Sequence, residues 1–298
     1  MNAESIKGHF AAIITNVIFG LNIVITKSLL SAWMTPLGYT TTRMLFGLMV
    51  FWLIALFIKK EKVERNDLVV IAFGGLLGMA LTQTSFSIGI SLITPVTWSL
   101  IVALNPIGVL LLSILFLKET VSIKKVIGIL IGISGALLII IKNGEGNMSA
   151  NNFLGICLAF FSVLSYASYI VITRKTSAKY MPTTIMKWMF LSSALVIVPF
   201  GIPELSEQRL YSSAITIVPV LQLGFALLFS SLLAFFLMPV ALKRIKATTT
   251  SIYINLQPLV SSLASLILGQ DTFTWDKPLA LLLIIGGIVM VTNEPRRK

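Results

Sequence analysis

Apolar residues along the chain gather into runs about as long as a bilayer crossing, separated by short stretches that hold most of the charge. A spanning helix needs about 20 mostly apolar residues, because the hydrocarbon layer is about 30 Å thick. Ten runs meet that requirement, at roughly 9–29, 37–58, 68–90, 95–117, 123–141, 152–173, 182–201, 217–241, 247–268 and 277–293. The longest connections fall near 142–151 and 202–216, which leaves no room for a soluble domain. The pattern predicts an all-α integral membrane protein with ten transmembrane helices. Lys7 ahead of the first run resembles the start of a cleaved leader. Asn16 and Asn22 interrupt that run, however, and no clear small-residue cleavage site follows, so it is expected to remain as a span.

Composition narrows the function classes. Of 298 residues 56% are hydrophobic and only 11% charged, against about a quarter charged in soluble globular chains. The net charge of +12 could suggest nucleic acid. Its basic residues sit in short clusters between apolar runs rather than on one solvated face, which argues against that partner. A single cysteine, Cys157, excludes an intramolecular disulfide, and a single histidine, His9, disfavours a His-based metal site or a Ser-His-Asp triad. No cofactor or metal is expected.

The placement of the basic residues sets orientation. If both termini are cytoplasmic, seventeen of the 23 Lys and Arg residues lie in inner segments, four in outer ones, and Arg43 and Lys187 inside spans. That asymmetry is the positive-inside rule. The reading is a multi-pass protein of the cell (inner) membrane with both ends inside. Its expected partners are the lipid bilayer and a small-molecule substrate, the chain acting as a monomer or weak homodimer.

Self-comparison reveals a repeat. Ile23-Val24-Ile25-Thr26-Lys27 recurs as Ile170-Val171-Ile172-Thr173-Arg174 at an offset of 147. At an offset of 152, Asn105-Pro106 matches Gln257-Pro258, Glu119-Thr120 matches Asp271-Thr272, and Gly135 matches Gly287. The predicted halves are 1–143 and 144–298, each with five spans. Five is odd, so the halves lie in opposite orientations, as in transporters whose halves alternate around a midplane site.

The motifs in these halves resemble a known family. Asn105-Pro106, then Leu115-Phe116-Leu117-Lys118-Glu119, Val126-Ile127-Gly128 and Gly132-Ile133-Ser134-Gly135-Ala136 are similar to the signature of EamA-type proteins of the drug/metabolite transporter superfamily. Phe19-Gly20-Leu21-Asn22 resembles the family's first-helix Trp-Gly-x-Asn stretch, with Phe19 in place of tryptophan. Pro36 followed by Arg43 resembles its second-helix opening. Gln257-Pro258, Asp271 and Gly286-Gly287 repeat the pattern, although Gln270-Asp271 departs from the usual Gly-Glu. The resemblance covers nearly the whole chain. It implies the fold and export of amino acids, other metabolites or drugs, without selecting among them.

Helical spacing independently predicts a polar lining. Thr94, Thr97, Trp98, Ile101 and Asn105 share one face of the fourth span, and their repeat partners Lys246, Thr249, Thr250, Tyr253 and Gln257 share one in the ninth. Thr15, Phe19, Asn22 and Thr26 do so in the first, and Ser162, Tyr166, Tyr169 and Thr173 in the sixth. Unpaired polar groups cost several kcal/mol in hydrocarbon, so these stripes face either other helices or a wet cavity. Pro106 and Pro258 each remove a backbone donor and are expected to kink their helices and expose carbonyls. Arg43 and Lys187 either line the cavity or snorkel to the interface. Gln83 is a further cavity donor. The substrate-binding candidates are thus Asn22, Arg43, Gln83, Trp98, Asn105, Tyr166, Tyr169, Tyr253 and Gln257, with Glu119 and Asp271 at helix ends as gating candidates.

The leading expectation is a secondary transporter of small metabolites such as amino acids. A proton-coupled exporter of cationic drugs is disfavoured because no Asp or Glu lies at the midplane. A lipid-modifying membrane enzyme would need an acid/base or metal constellation that one histidine and few acids do not supply. A receptor or scaffold would not call for an inverted repeat. The orientation can be tested in a Cys157→Ala background. A Lys60→Cys variant should react in intact cells only with membrane-permeant thiol reagents, and an Arg209→Cys variant also with impermeant ones. The reverse pattern would refute the topology.

Overall fold

The computed structural model describes residues 3–117, 150–212, 216–270 and 272–292, together with scattered positions between 123 and 138. The described residues form helices, turns and connections, with no strand among them. In chain order the helices are α1 (Ala3–Ala32), α2 (Pro36–Phe57), α3 (Arg65–Leu92), α4 (Pro95–Val102), α5 (Asn105–Leu117), α6 (Ala150–Ile172), α7 (Arg174–Lys179), α8 (Pro182–Leu205), α9 (Ile217–Arg244), α10 (Ala247–Ile252), α11 (Leu256–Ile267) and α12 (Asp276–Thr292).

Proline and threonine mark several starts. Thr35 and Thr94 accept hydrogen bonds from Gly38 N and Thr97 N, capping the free donors of α2 and α4. Pro36, Pro95 and Pro182 occupy first-turn positions, where a missing N–H costs nothing.

Among the described residues, seven helical runs are long and apolar enough to cross a membrane: α1, α2, α3, α4 with α5, α6, α8 and α9. The expected ninth run is interrupted. A 3₁₀ turn, Tyr253–Asn255, separates α10 from α11. The fourth run breaks likewise at Ala103–Leu104. α12 has 17 residues, and most of the expected fifth run lies outside the described residues, its described positions being helical.

Two spans carry a wider turn. α3 adopts π-helical geometry at Leu76–Leu81 and α9 at Ala226–Ala234. At each one a hydroxyl reaches back five residues, Thr82 Oγ1 to Leu77 O at 2.7 Å and Ser231 Oγ to Ala226 O at 3.0 Å. Such turns commonly accompany functional sites, because one extra residue re-aims the side chains that follow.

The bundle buries a set of polar side chains within its apolar core and carries an apolar perimeter. Thr15, Asn16, Asn22, Arg43, Asn105, Ser230, Ser231 and Gln257 are buried, whereas Leu56, Phe57, Leu195, Ile217 and Leu263 are exposed. Large apolar side chains on the perimeter with polar ones inside suit lipid, where polar groups must be satisfied within the protein. α2 packs most extensively on α8. Gly47 opens the space there: a Cβ at that position would overlap the Phe190 ring. That ring cannot retreat, being stacked on Phe51 (centroids 5.3 Å apart) and set edge-on to Phe235 (6.0 Å).

Gly47→Val should therefore lower stability in detergent by about 1–3 kcal/mol, the usual cost of overpacking. Gly224→Ala, at a site with nothing within 4 Å, should be near neutral. Thermal unfolding of the two variants checks this, and equal behaviour would contradict the packing described.

Candidate functional site

Seven helices, α1, α3, α4, α5, α6, α9 and α11, contribute to one cavity. Its lining is Phe19, Asn22, Ile23, Thr82, Gln83, Phe86, Trp98, Val102, Asn105, Ser162, Tyr166, Ser230 and Gln257. The space there open to the centres of water molecules is about 60 Å³, room for more than one water. Close packing fixes the aromatic part of the wall. Trp98 lies edge-on to Phe86 at 5.4 Å, against Gly89, where a Cβ would overlap the indole.

Behind this wall sits Arg43, only 1% exposed. Its Nε donates to Ser231 Oγ at 2.7 Å, Nη1 to Gln83 Oε1 at 2.7 Å and Nη2 to Ser230 Oγ at 2.9 Å. The Tyr39 and Phe235 rings lie 5.3 and 5.9 Å from its guanidinium carbon, within cation–π range. All three hydrogen-bond acceptors are neutral, although a buried charge is ordinarily paired. The two π-helical turns bring Gln83 on one side, and Ser230 and Ser231 on the other, to the same guanidinium.

Asn105 and Gln257 are anchored by their nitrogens. Pro106 leaves Val102 O without its usual backbone donor, and Asn105 Nδ2 supplies one at 2.9 Å. The expectation that the proline would expose a carbonyl is thus corrected: the preceding amide takes it up. Asn105 Oδ1 is left buried and unpartnered. Gln257 Nε2 donates to Asn16 Oδ1 at 2.8 Å, while Asn16 Nδ2 donates to Ala12 O at 2.8 Å. The Tyr166 hydroxyl is likewise buried without a partner.

Of the sequence-predicted binding residues, Asn22, Gln83, Trp98, Asn105, Tyr166 and Gln257 meet at the cavity. Arg43 stands one residue behind it and reaches it through Gln83 and Ser230. Tyr169 packs instead toward Gly74 and Gly78, its ring 2.6 Å from where a Gly78 Cβ would stand. Tyr253 lies apart, its hydroxyl 2.7 Å from His9 Nδ1. Thr94 and Thr97 are occupied in the cap of α4. Lys187 sits 5.0 Å from both the Trp52 and the Trp188 rings, away from the lining. Pro106 and Pro258 follow the two helix breaks. Glu119 and Asp271 lie outside the described residues. Sequence reasoning missed Thr82, Phe86, Ser230, Ser231, Tyr39 and Asn16. A signal existed for two of them, since Ser230-Ser231 is the one adjacent hydroxyl pair within 217–241.

Polar contacts tie the ends of the bundle. At one end Lys27 Nζ donates to Ile90, Ser91 and Ile93 carbonyls at 3.0–3.1 Å, capping the C-terminus of α3. There too Thr35 bonds Glu204 and Gln208, which joins α8 to the start of α2. At the other end Lys179 bridges Asp67 and Glu64 at 2.7 and 2.8 Å. Hydrogen bonds to Asp67, then to Glu64 and Tyr180, hold its ammonium above the usual lysine range. Among the described residues no three His, Cys, Asp or Glu side chains converge as a metal site would require.

The EamA-like transporter family model matches residues 6–141 and again 153–293. Relatives include an uncharacterized transporter of Archaeoglobus fulgidus, 25% identical over 88% of this chain and 90% of that protein. The uncharacterized transporter YyaM of Bacillus subtilis is 25% identical over 77% of this chain and 74% of its own length. The uncharacterized inner membrane transporter YicL of Salmonella typhimurium is 22% identical over 98% and 97%. A solved crystal structure shares the fold with a TM-score of 0.66 at 18% identity, covering 94% of this chain and 98% of its own.

Because the Tyr166 hydroxyl bonds nothing among the described residues, Tyr166→Phe should hold or slightly raise stability in the absence of substrate. A buried unpartnered polar group costs about 1–3 kcal/mol. Thermal unfolding without ligand is the check, and a clear loss of stability would show that the hydroxyl has a partner.

Proposed function

The chain belongs to the EamA-like transporter family and is a multi-pass membrane transporter, and on that footing we propose a secondary transporter that exports small amphipathic metabolites such as amino acids by alternating access. The observation that carries the substrate reading is the cavity itself. It combines an aromatic wall (Phe19, Phe86, Trp98, Tyr166) with buried polar atoms, Asn105 Oδ1 and Tyr166 Oη, that have no partner among the described residues. Such atoms invite a polar ligand or water.

In this reading ten spans form two five-helix halves, 1–143 and 144–298, in opposite orientation. The family model fits twice along the chain. The π turns at Leu76–Leu81 and Ala226–Ala234, and the helix breaks before Asn105-Pro106 and Gln257-Pro258, recur at similar offsets. Matched breaks in two halves are what rocking around a midplane site would use. The Lys and Arg distribution supports both termini on the cytoplasmic side of a cell, or inner, membrane. The end with Lys179 is then inner and the end with Lys27 outer. Glu119 and Asp271 are assigned to gating at opposite faces. No Asp or Glu lines the cavity among the described residues, which favours substrate movement without a proton-exchanging carboxylate there. Export is the direction that the family resemblance implies.

The test is flux of labelled L-phenylalanine, L-leucine and L-threonine in proteoliposomes. Wild-type protein should carry at least one of them well above empty liposomes. Asn105→Ala and Gln257→Ala should lower that flux about tenfold or more while the protein stays folded. Unchanged flux in both variants would refute the site, and flux no greater than in empty liposomes would refute the amino-acid reading.

A further inference from the structure

Hydrogen-bond polarity around the cavity carries the substrate reading further. A guanidinium can only donate, so the Gln83 atom that meets Arg43 Nη1 must be the amide oxygen. Its nitrogen then has no acceptor among the described residues and is the group presented to the cavity that Gln83 lines. Ser230 Oγ accepts from Arg43 Nη2, which leaves the hydroxyl proton to be donated elsewhere. This wall therefore offers N–H and O–H donors, with a permanent positive charge behind them.

The amides of α5 and α11 in the same lining are fixed the other way. A backbone carbonyl can only accept, so the Asn105 atom against Val102 O must be nitrogen, and Oδ1 is left over. Ala12 O likewise forces the Asn16 nitrogen toward itself. Asn16 Oδ1 must then receive the Gln257 nitrogen, and Gln257 Oε1 remains open. Neither polarity can be reversed by turning one amide over, since each flip would set donor against donor or acceptor against acceptor. Asn22 meets Tyr39 Oη only at a long 3.4 Å and belongs to neither set.

We propose that the cavity is a dipolar site: Gln83 Nε2 and the Ser230 hydroxyl, backed by the buried Arg43, receive a carboxylate, while Asn105 Oδ1 and Gln257 Oε1 of α5 and α11 receive an ammonium. The inference rests on the transporter reading and narrows it to zwitterions with an apolar body, held in one orientation. Arg43 acts here as a positioning residue. It fixes which atom Gln83 and Ser230 present, and it supplies the charge that makes an anion favourable in a medium of low dielectric constant. The aromatic wall receives the side chain.

The experiment uses a matched series on purified full-length protein: L-phenylalanine, 3-phenylpropionate (no ammonium), phenethylamine and L-phenylalanine methyl ester (no carboxylate). Affinities are read by competition with labelled L-phenylalanine and by ligand-induced thermal shift. Wild-type protein should bind phenylalanine best, 3-phenylpropionate about tenfold more weakly, and the two compounds lacking a carboxylate more weakly still. Gln83→Glu pairs with Arg43 and keeps the bundle together while cancelling the charge. It should weaken both carboxylates at least tenfold and leave phenethylamine unchanged or tighter. Asn105→Leu should weaken phenylalanine toward 3-phenylpropionate and leave the latter unchanged. Unliganded thermal unfolding confirms that each variant folds. If wild type binds the amine or the ester as tightly as phenylalanine, or if Gln83→Glu keeps phenylalanine affinity within twofold, the dipolar assignment falls and the transporter reading stands. If no member of the series binds, the dipolar assignment falls, and the amino-acid reading falls with it only if labelled L-leucine and L-threonine are not carried either.

Discussion

A guanidinium buried inside a membrane bundle needs an oxygen for its donors and something to offset its charge, and the arrangement of this cavity follows from how Arg43 meets the first need without the second. Three bonds, to Ser231, Gln83 and Ser230, satisfy much of the donor fork, and two aromatic faces add a modest attraction. None of these groups carries negative charge. The positive potential therefore extends into the cavity lined by Gln83 and Ser230, in a setting where electrostatic interactions are weakly screened.

Helix irregularity makes that meeting possible. A regular α-helix repeats its faces every 3.6 residues, so a span that faces lipid on one side has few positions to give to a site. The π turns in α3 and α9 each insert extra backbone, and the hydroxyls of Thr82 and Ser231 take the carbonyls left at i−5. The breaks in the fourth and ninth spans supply the other half of the lining. Asn105 closes the gap that Pro106 opens, so one residue both repairs the helix and presents an oxygen to the cavity. Gly47, Gly78 and Gly89 admit Phe190, Tyr169 and Trp98 to positions a side chain would block. Stability and site geometry thus share the same residues, as expected where buried polar groups must be satisfied without water.

Much of this was legible from periodicity alone. Asn22, Trp98, Asn105, Tyr166 and Gln257 could be placed on inward faces because each falls on a polar stripe at helical spacing, whereas Gln83 stood out only as an amide midway along span three. Tyr253 was misplaced for a specific reason. Counting back from Gln257 assumes about 100° per residue, but the intervening 3₁₀ turn advances by about 120°, and Tyr253 rotates toward His9 instead. Tyr169 shares a face with Tyr166 in projection, yet the slot beside Gly74 and Gly78 claims its ring. Arg43 itself was visible as a charge in an apolar run and through the motif that begins at Pro36, but its partners were not. Its partners lie 40 and about 188 residues away in sequence, and no local pattern announces a contact made through a π turn. Glu119 and Asp271 rest on the motif alone.

The most direct measurement is an experimental structure with L-phenylalanine bound in the cavity. The account predicts the ligand carboxylate within hydrogen-bond reach of Gln83 Nε2 and Ser230 Oγ, its ammonium on Asn105 Oδ1 and Gln257 Oε1, and Arg43 still bonded to Gln83 Oε1. A ligand bound with its ammonium toward Gln83, or a Gln83 amide turned so that its nitrogen leaves the cavity, would contradict it.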